Sequence, residues 1–165
     1  MDKKGELQLT LQKDEGPYYT AGSPEKRVFW SIKVPGERLT LQGSVMDKKG
    51  NPLPGAWLDF WQADGKGNYD NQGFTLRGHQ QADKNGRYSL DTVVPGSYPG
   101  RTPHIHVKAR ANEKAAIMTT QIFFPGIASN EGDFLYDEAL LIKINAGPQG
   151  KIGDFDFVLE TGQGF

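Results

Sequence analysis

Glycine and proline recur at short intervals along this chain, 21 and 10 times in 165 residues. They cut it into segments too short for ordinary helices. Between the cuts, apolar residues alternate with polar ones. Leu7, Leu9 and Leu11 form one such set, and Leu39, Leu41 and Val45 another. A period of two is that of a strand with one buried face. No segment sustains a period of 3.6, although Asp133 to Leu140 has room for a short helical turn. The expected strands are therefore 7–11, 39–45, 56–62, 87–92, 104–109, 119–124, 140–144 and 155–160, with the second closed by the turn Lys48-Lys49-Gly50-Asn51-Pro52. Many short strands at this spacing predict an all-β chain, a two-sheet β-sandwich, whose loops would be the place for any active site.

The length suits one domain with a real core, spanning 1–165. There is no internal repeat, linker or low-complexity tract. A net charge of −1 argues against nucleic acid or an anionic membrane surface as partner. No apolar run approaches the ~20 residues that span a bilayer. The first thirteen residues, MDKKGELQLTLQK, lack an apolar core for a leader. The chain as given thus reads as cytoplasmic by default, or as secreted with a leader already removed. There are no cysteines, which excludes disulfides, iron–sulfur clusters, thiol nucleophiles and Cys-type zinc sites. Any metal must be held by His, Asp, Glu or Tyr.

Two of the three histidines, His104 and His106, stand two apart at the head of an expected strand and so share a face. Such a pair occurs in metal sites, and equally where one ring packs inward and the other caps a loop. His79, beside a glycine in LRGHQ, reads as a surface or loop residue. Zinc would want a third histidine or a carboxylate. A zinc or ferrous hydrolase or oxygenase using the pair with Asp70 or Asp83 is one such arrangement. Tyrosine is a poor ligand for divalent ions because its pKa near 10 keeps it protonated, whereas a hard trivalent ion such as Fe(III) favours the phenolate. Tyr69 follows the glycine-rich turn Asp64 to Asn68, and Tyr98 sits in a Pro-Gly loop. Spacing alone leaves both open between ligand and ordinary loop aromatic.

The runs GSVMDKKGNPLPGAWLDFWQADGKGNYD, LRGHQQADKNGRYSLDTVVPGSYPGRTPHIHV and TTQIFFPG, with EGPYY nearer the start, together resemble the intradiol ring-cleavage dioxygenases. That family includes the catechol and protocatechuate dioxygenases. The resemblance covers about residues 15 to 126. It implies a non-haem Fe(III) cofactor, a catechol substrate opened by O2 between its hydroxyl-bearing carbons, and a cis,cis-muconate-type product. It also implies that Tyr69, Tyr98, His104 and His106 are the metal ligands. Arg101 and Gln121 would lie at the substrate ring, and Trp61, Pro17 and Tyr18 near the pocket. Tyr98 would be the ligand that leaves, taking a substrate proton, while Tyr69 stays.

Some features depart from the longer relatives. Only five residues separate Tyr98 from His104, and Gly100 stands where the protocatechuate enzymes carry a tryptophan. The N-terminal helical region through which the catechol enzymes dimerise has no counterpart, leaving monomer and homo-oligomer both open. These differences predict an open pocket. The segments GSVMDKKGNPLPGAWL and ADKNGRYSLDTVVPGSY also resemble the non-catalytic sandwich modules of carboxypeptidases and adhesins, which have no need of HIH, Arg101, Gln121 or Tyr69.

Overall fold

The computed structural model describes residues 5–162. β1 (Arg38–Met46) is the organising strand, alternating half-buried and buried along its whole length. It pairs antiparallel with β4 (Arg87–Val93) on one side and parallel with β8 (Gly150–Asp154) on the other. β7 (Lys143–Gly147) closes that sheet beyond β8, and the two-residue β9 (Phe157–Val158) extends the β1 pairing. The second sheet runs β3 (Arg77–Gln81), β2 (Trp57–Gln62), β5 (His104–Arg110), β6 (Met118–Phe123), all antiparallel. The two-sheet β-sandwich expected from the alternation is the fold.

Leu39, Leu41 and Val45 of β1, with Tyr88 and Leu90 of β4, meet Leu58, Phe60, Ile105, Val107 and Ile122 of the second sheet, all at most 2% exposed. Residues one position out of phase therefore project from the second sheet's opposite face. Register places Asp59 beside His79 and Lys108, Trp61 beside Arg77 and His106, and His106 beside Gln121. This outer face is rich in polar and titratable side chains. It is also largely buried, because residues 15 to 26 lie across it, with Tyr19 and Ser23 bonded to Asp59 and Lys26 N–H to the His79 carbonyl.

Several local expectations shift. Residues 7–11 form no strand. Their backbone bonds single carbonyls in turn, Leu7 N–H to Lys48 and Thr10 N–H to Val158, and Lys13 N–H then reaches Thr119. The segment crosses from one sheet to the other, so its leucines alternate without a ladder. The 140–144 strand begins later, at Lys143, because Leu140 closes a 3-10 turn (Glu138–Leu140) and is apolar for burial there. That turn is the short helical turn expected within 133–140, and a second 3-10 turn, Ala128–Gly132, precedes it. Of 155–160 only Phe157–Val158 pairs as strand. β3 and β8 add to the expected set, since RGHQQ and GKIGD show neither alternation nor β-branched runs. His79 is accordingly a half-buried residue of β3, not a loop residue, and its Nδ1 lies 2.8 Å from the carbonyl oxygen of Ser23. Of the first thirteen residues, Met1 to Lys4 lie outside the described ones.

Gly43 tests the packing between β1 and the chain's last strands, since a Cβ there would lie 1.9 Å from the Phe155 carbonyl oxygen. Gly43→Ala is expected to cost about 3 kcal/mol by overpacking against backbone. A urea midpoint equal to wild type would show that Phe155 gives way freely.

Candidate metal centre

Two loops and one strand bring four donor atoms together. His104 and His106 project from the outer face of β5, with their Nε2 atoms 3.1 Å apart. The Tyr69 hydroxyl lies 3.0 Å from His106 Nε2 and 3.4 Å from His104 Nε2. The Tyr98 hydroxyl lies 3.3 Å from His104 Nε2 and 3.5 Å from the Tyr69 hydroxyl. Atoms that bind one ion at about 2 Å are separated from neighbouring ligands by about 3 Å, so these spacings fit a single cation among the four.

The chemistry of the donors fits as well. His104 Nδ1 lies 2.7 Å from the Thr102 carbonyl oxygen, which can only accept. That bond fixes the proton on Nδ1 and leaves the Nε2 lone pair facing the cluster. Burial, aided by the Arg101 charge, lowers the His104 pKa to about 4. Burial and the neighbouring His104 push His106 well below the usual histidine value. Both rings are neutral ligands at pH 7. Burial, with the adjoining Tyr98, raises the Tyr69 phenol, so only a strongly polarising cation displaces that proton. His106 Nδ1 and Trp61 Nε1 are buried without a hydrogen-bond partner. The two rings stack at 4.7 Å and 9°, with Trp61 1% exposed behind the histidine.

The loop of Tyr98 is a tight turn. Arg101 N–H donates to the Tyr98 carbonyl at 2.9 Å, with Pro99 and Gly100 between them and Gly100 at φ +81°. This is the residue order of a type II turn. Gly96 serves close packing instead: a Cβ there would lie 2.5 Å from the Gly65 carbonyl oxygen, in the loop that leads to Tyr69. The loop's first end is thus pinned. At its second end, a Cβ on Gly100 would meet nothing within 4 Å.

Around the donors, the Tyr18 ring stacks on Tyr69 at 4.5 Å, and Gly16 passes close over His106. Pro17 between them is exposed at the rim. Arg101 donates from Nε to Asp133 Oδ2 at 2.9 Å and from its other arm to the Gln121 side-chain oxygen. Gln121 in turn donates to the Asp14 carbonyl at 2.9 Å. An open cavity of about 230 Å³ is lined by Ser97, Tyr98, Gly100, Arg101, Ser129 and Gly132. Small residues thus dominate its wall.

The carboxylates considered as alternative ligands are committed elsewhere. Asp70 accepts backbone N–H bonds from Gln72, Gly73 and Thr75, and Asp83 from Asn85 and Arg87. Among the described residues, no group of three or more His, Asp or Glu stands ready for a metal. The histidine pair is completed by phenols.

Two residues of the site carry no mark in the sequence. Asp133 is buried and also accepts from Thr102 N–H at 2.8 Å. Burial pushes its carboxyl up, but the Thr102 and Leu135 backbone bonds and Arg101 outweigh this and hold it below the usual range. Arg77, 1% exposed, donates to the Tyr18 and Asp70 carbonyls and to the Asn71 side chain. An arginine two positions before His79 on one strand face is the available signal, but it requires knowing that β3 is a strand.

A sandwich with two phenols and two imidazoles gathered at one buried point defines the class. The family model described as "Dioxygenase" matches residues 14–161. The chain belongs to the intradiol ring-cleavage dioxygenase family. It is similar to the solved dioxygenase domain of a dioxygenase carbohydrate-binding protein fusion from Streptomyces sp. SirexAA-E, with 45% identity, TM-score 0.90, and 93% of this chain and 99% of that chain covered. The catechol 1,2-dioxygenase structure from Pseudomonas arvilla C-1 shares 28% identity at TM-score 0.82, covering 94% of this chain and 63% of that one. The catechol 1,2-dioxygenase of Acinetobacter baylyi is 32% identical over 153 residues, covering 74% of this chain and 48% of its own length. The chain spans about half the length of that curated relative, and less of another, a catechol 1,2-dioxygenase from a Pseudomonas species.

The depressed histidine makes the metal-free protein sensitive to acid. Unfolded, His104 takes up a proton near pH 6.5, but folded only near about 4. Its contribution is fully present above pH 6.5 and is lost as pH falls toward 4, roughly 3 kcal/mol in all. Urea midpoints of the metal-free protein should fall across that window, and less steeply in His104→Gln. An unchanged slope in the variant would place the lability elsewhere.

Proposed function

We propose that this chain, acting as one catalytic unit, is a non-haem Fe(III) dioxygenase that opens catechol-type rings with O2 between the hydroxyl-bearing carbons, giving cis,cis-muconate-type products. The observation that carries this is the convergence of the Tyr69, Tyr98, His104 and His106 donor atoms, neighbours lying 3.0–3.5 Å apart. These four would hold the iron, and a non-catalytic sandwich module has no use for them. Bound Fe(III) would supply a hard Lewis acid that takes both catechol oxygens and makes the ring electron-rich toward O2.

The remaining work belongs to the chain's own residues. Tyr98, a phenolate when it holds the iron, would accept one catechol proton at its oxygen, become a neutral phenol and swing outward, with open space beside it at Gly100. Tyr69 is kept in place by Tyr18 stacked on its face. Trp61 backs His106 and fixes that ring's plane. Arg101 presents a permanent cation beside the ring, where negative charge develops as the ring opens. Asp133 and Gln121 hold its guanidinium from two sides, so no reorganisation is needed when that charge appears. The substrate class is a catechol with room for substituents, supported by the small residues of the cavity wall, Ser97, Gly100, Ser129 and Gly132.

Iron-replete expression is expected to give a red-brown protein from phenolate-to-iron charge transfer, with about one iron per chain by metal analysis. Colourless protein containing zinc would refute the reading. Arg101→Ala should keep iron and colour yet lose about 10²–10³-fold in turnover, as for one electrostatic stabiliser removed. Loss of iron instead would make Arg101 a brace for the Tyr98 loop. Tyr98→Phe should hold iron and the Tyr69 share of the absorption while binding catechol slowly. Bulky catechols should be turned over at rates comparable to catechol itself; their failure to bind would contradict the open pocket.

A further inference from the structure

Arg77 is the one arginine or lysine among the described residues that is fully buried, at 1% exposure. No carboxylate among them forms an ion pair with it. Its three hydrogen bonds go to neutral oxygens: the Tyr18 carbonyl, the Asp70 carbonyl at 2.8 Å and the Asn71 side chain at 3.2 Å. The Asp70 and Asp59 carboxylates act on it only from beyond contact, and a cation taken out of water without a contacting counter-charge is costly, a cost that neutral acceptors meet only in part. Its guanidinium carbon lies 5.9 Å from the centroid of the Tyr69 ring. Leu76, which delivers Arg77 to the outer face, is the one described non-glycine residue with a left-handed backbone, φ 59°. Strain of that kind persists where the surroundings enforce a particular placement.

We propose that Arg77 is the positioning residue of Tyr69: it clamps the turn after Tyr69 to the segment bearing Tyr18, and with Arg101 it is one of two fixed charges that tune the energy of the iron–Tyr69 charge transfer. This rests on the ferric reading above. The fork is what the placement needs. Three bonds in three directions tie Tyr18, Asp70 and Asn71 into one unit, so the Tyr18 ring stays stacked on one face of Tyr69. A lysine offers a point charge without that planar reach. A Tyr69 phenolate would be the anion lying against the guanidinium, and Tyr98 has no buried arginine bonded into the turn beside it.

The test uses the full chain carrying Tyr98→Phe, loaded with iron, so that its visible band comes from Tyr69 alone. Band position is compared with Arg77→Met, Arg77→Gln and Arg77→Lys added, each normalised to bound iron. Removing the positive charge raises the phenolate donor level, so Met and Gln are expected to move the band to longer wavelength, and Lys to return it toward the parent. Gln keeps a donor for the carbonyls and is the variant read if Met does not fold. A structural role alone would lower iron content and thermal stability while leaving the band per bound iron unmoved, and that result overturns the proposal. A Tyr98→Phe parent that binds iron without colour would instead refute the ferric phenolate reading itself.

Discussion

The site depends on a contact between three stretches of backbone that carry no side chains where they touch. A Cβ on Gly65 would lie 2.4 Å from the Gly36 Cα, one on Gly96 2.5 Å from the Gly65 carbonyl oxygen, and one on Gly67 2.4 Å from the Ser97 carbonyl oxygen. Hydrogen bonds seal the same contact, from Gly65 N–H to Pro35 and from Gly96 N–H to Asp64. The loop leading to Tyr69 and the loop bearing Tyr98 can therefore lie against one another at backbone distance. Larger residues at these positions would push the two loops, and with them the two phenols, apart. What looks like turn chemistry in the sequence is here a packing requirement.

That distinction explains much of what is legible in the sequence. Alternation in Leu39, Leu41 and Val45 reads directly as β1 because one face is core and the other is partly open to water. The histidine pair reads as one face of β5 for the same reason of period. β3 is invisible because both its faces are covered: Gly78 and Gln80 turn inward while Arg77 and His79 lie under the segment 15–26. A strand that hides polar residues on both sides has no alternation to read. Asp133 is equally hidden, since its partners Arg101 and Thr102 lie 32 and 31 residues earlier and nothing local marks it. The four donors, with Arg101 and Gln121, are legible through ordered motifs; the groups that hold them in place are not.

The outer face is electrostatically arranged around neutral donors and permanent cations. Burial keeps His104 and His106 unprotonated and Tyr69 protonated, while Arg77 and Arg101 bring two fixed positive charges to the same small region. The carboxylates nearby are spoken for, Asp133 by Arg101 and Thr102, Asp59 by Ser23 and Tyr19. Asp133 neutralises Arg101, whereas Arg77 has no carboxylate in contact; on the ferric reading, deprotonated phenols are the anions beside it. On the same reading, the two phenols favour a hard, highly charged metal, since a weaker cation draws no phenolate.

The pairing of β1 has a temporal consequence. Residues 38–46 are synthesised early, yet two of their partners, β8 and β9, come from residues 150–158. Contacts so distant in sequence close late, after the loop-closure entropy between them has been met. While the chain emerges from the ribosome, Tyr69, Tyr98 and the histidines are all present, but the sheet behind them lacks its central neighbours, and Asp133 has yet to reach Arg101. On the ferric reading, iron uptake consequently follows the emergence of residues 150–158, and the metal meets a scaffold already assembled.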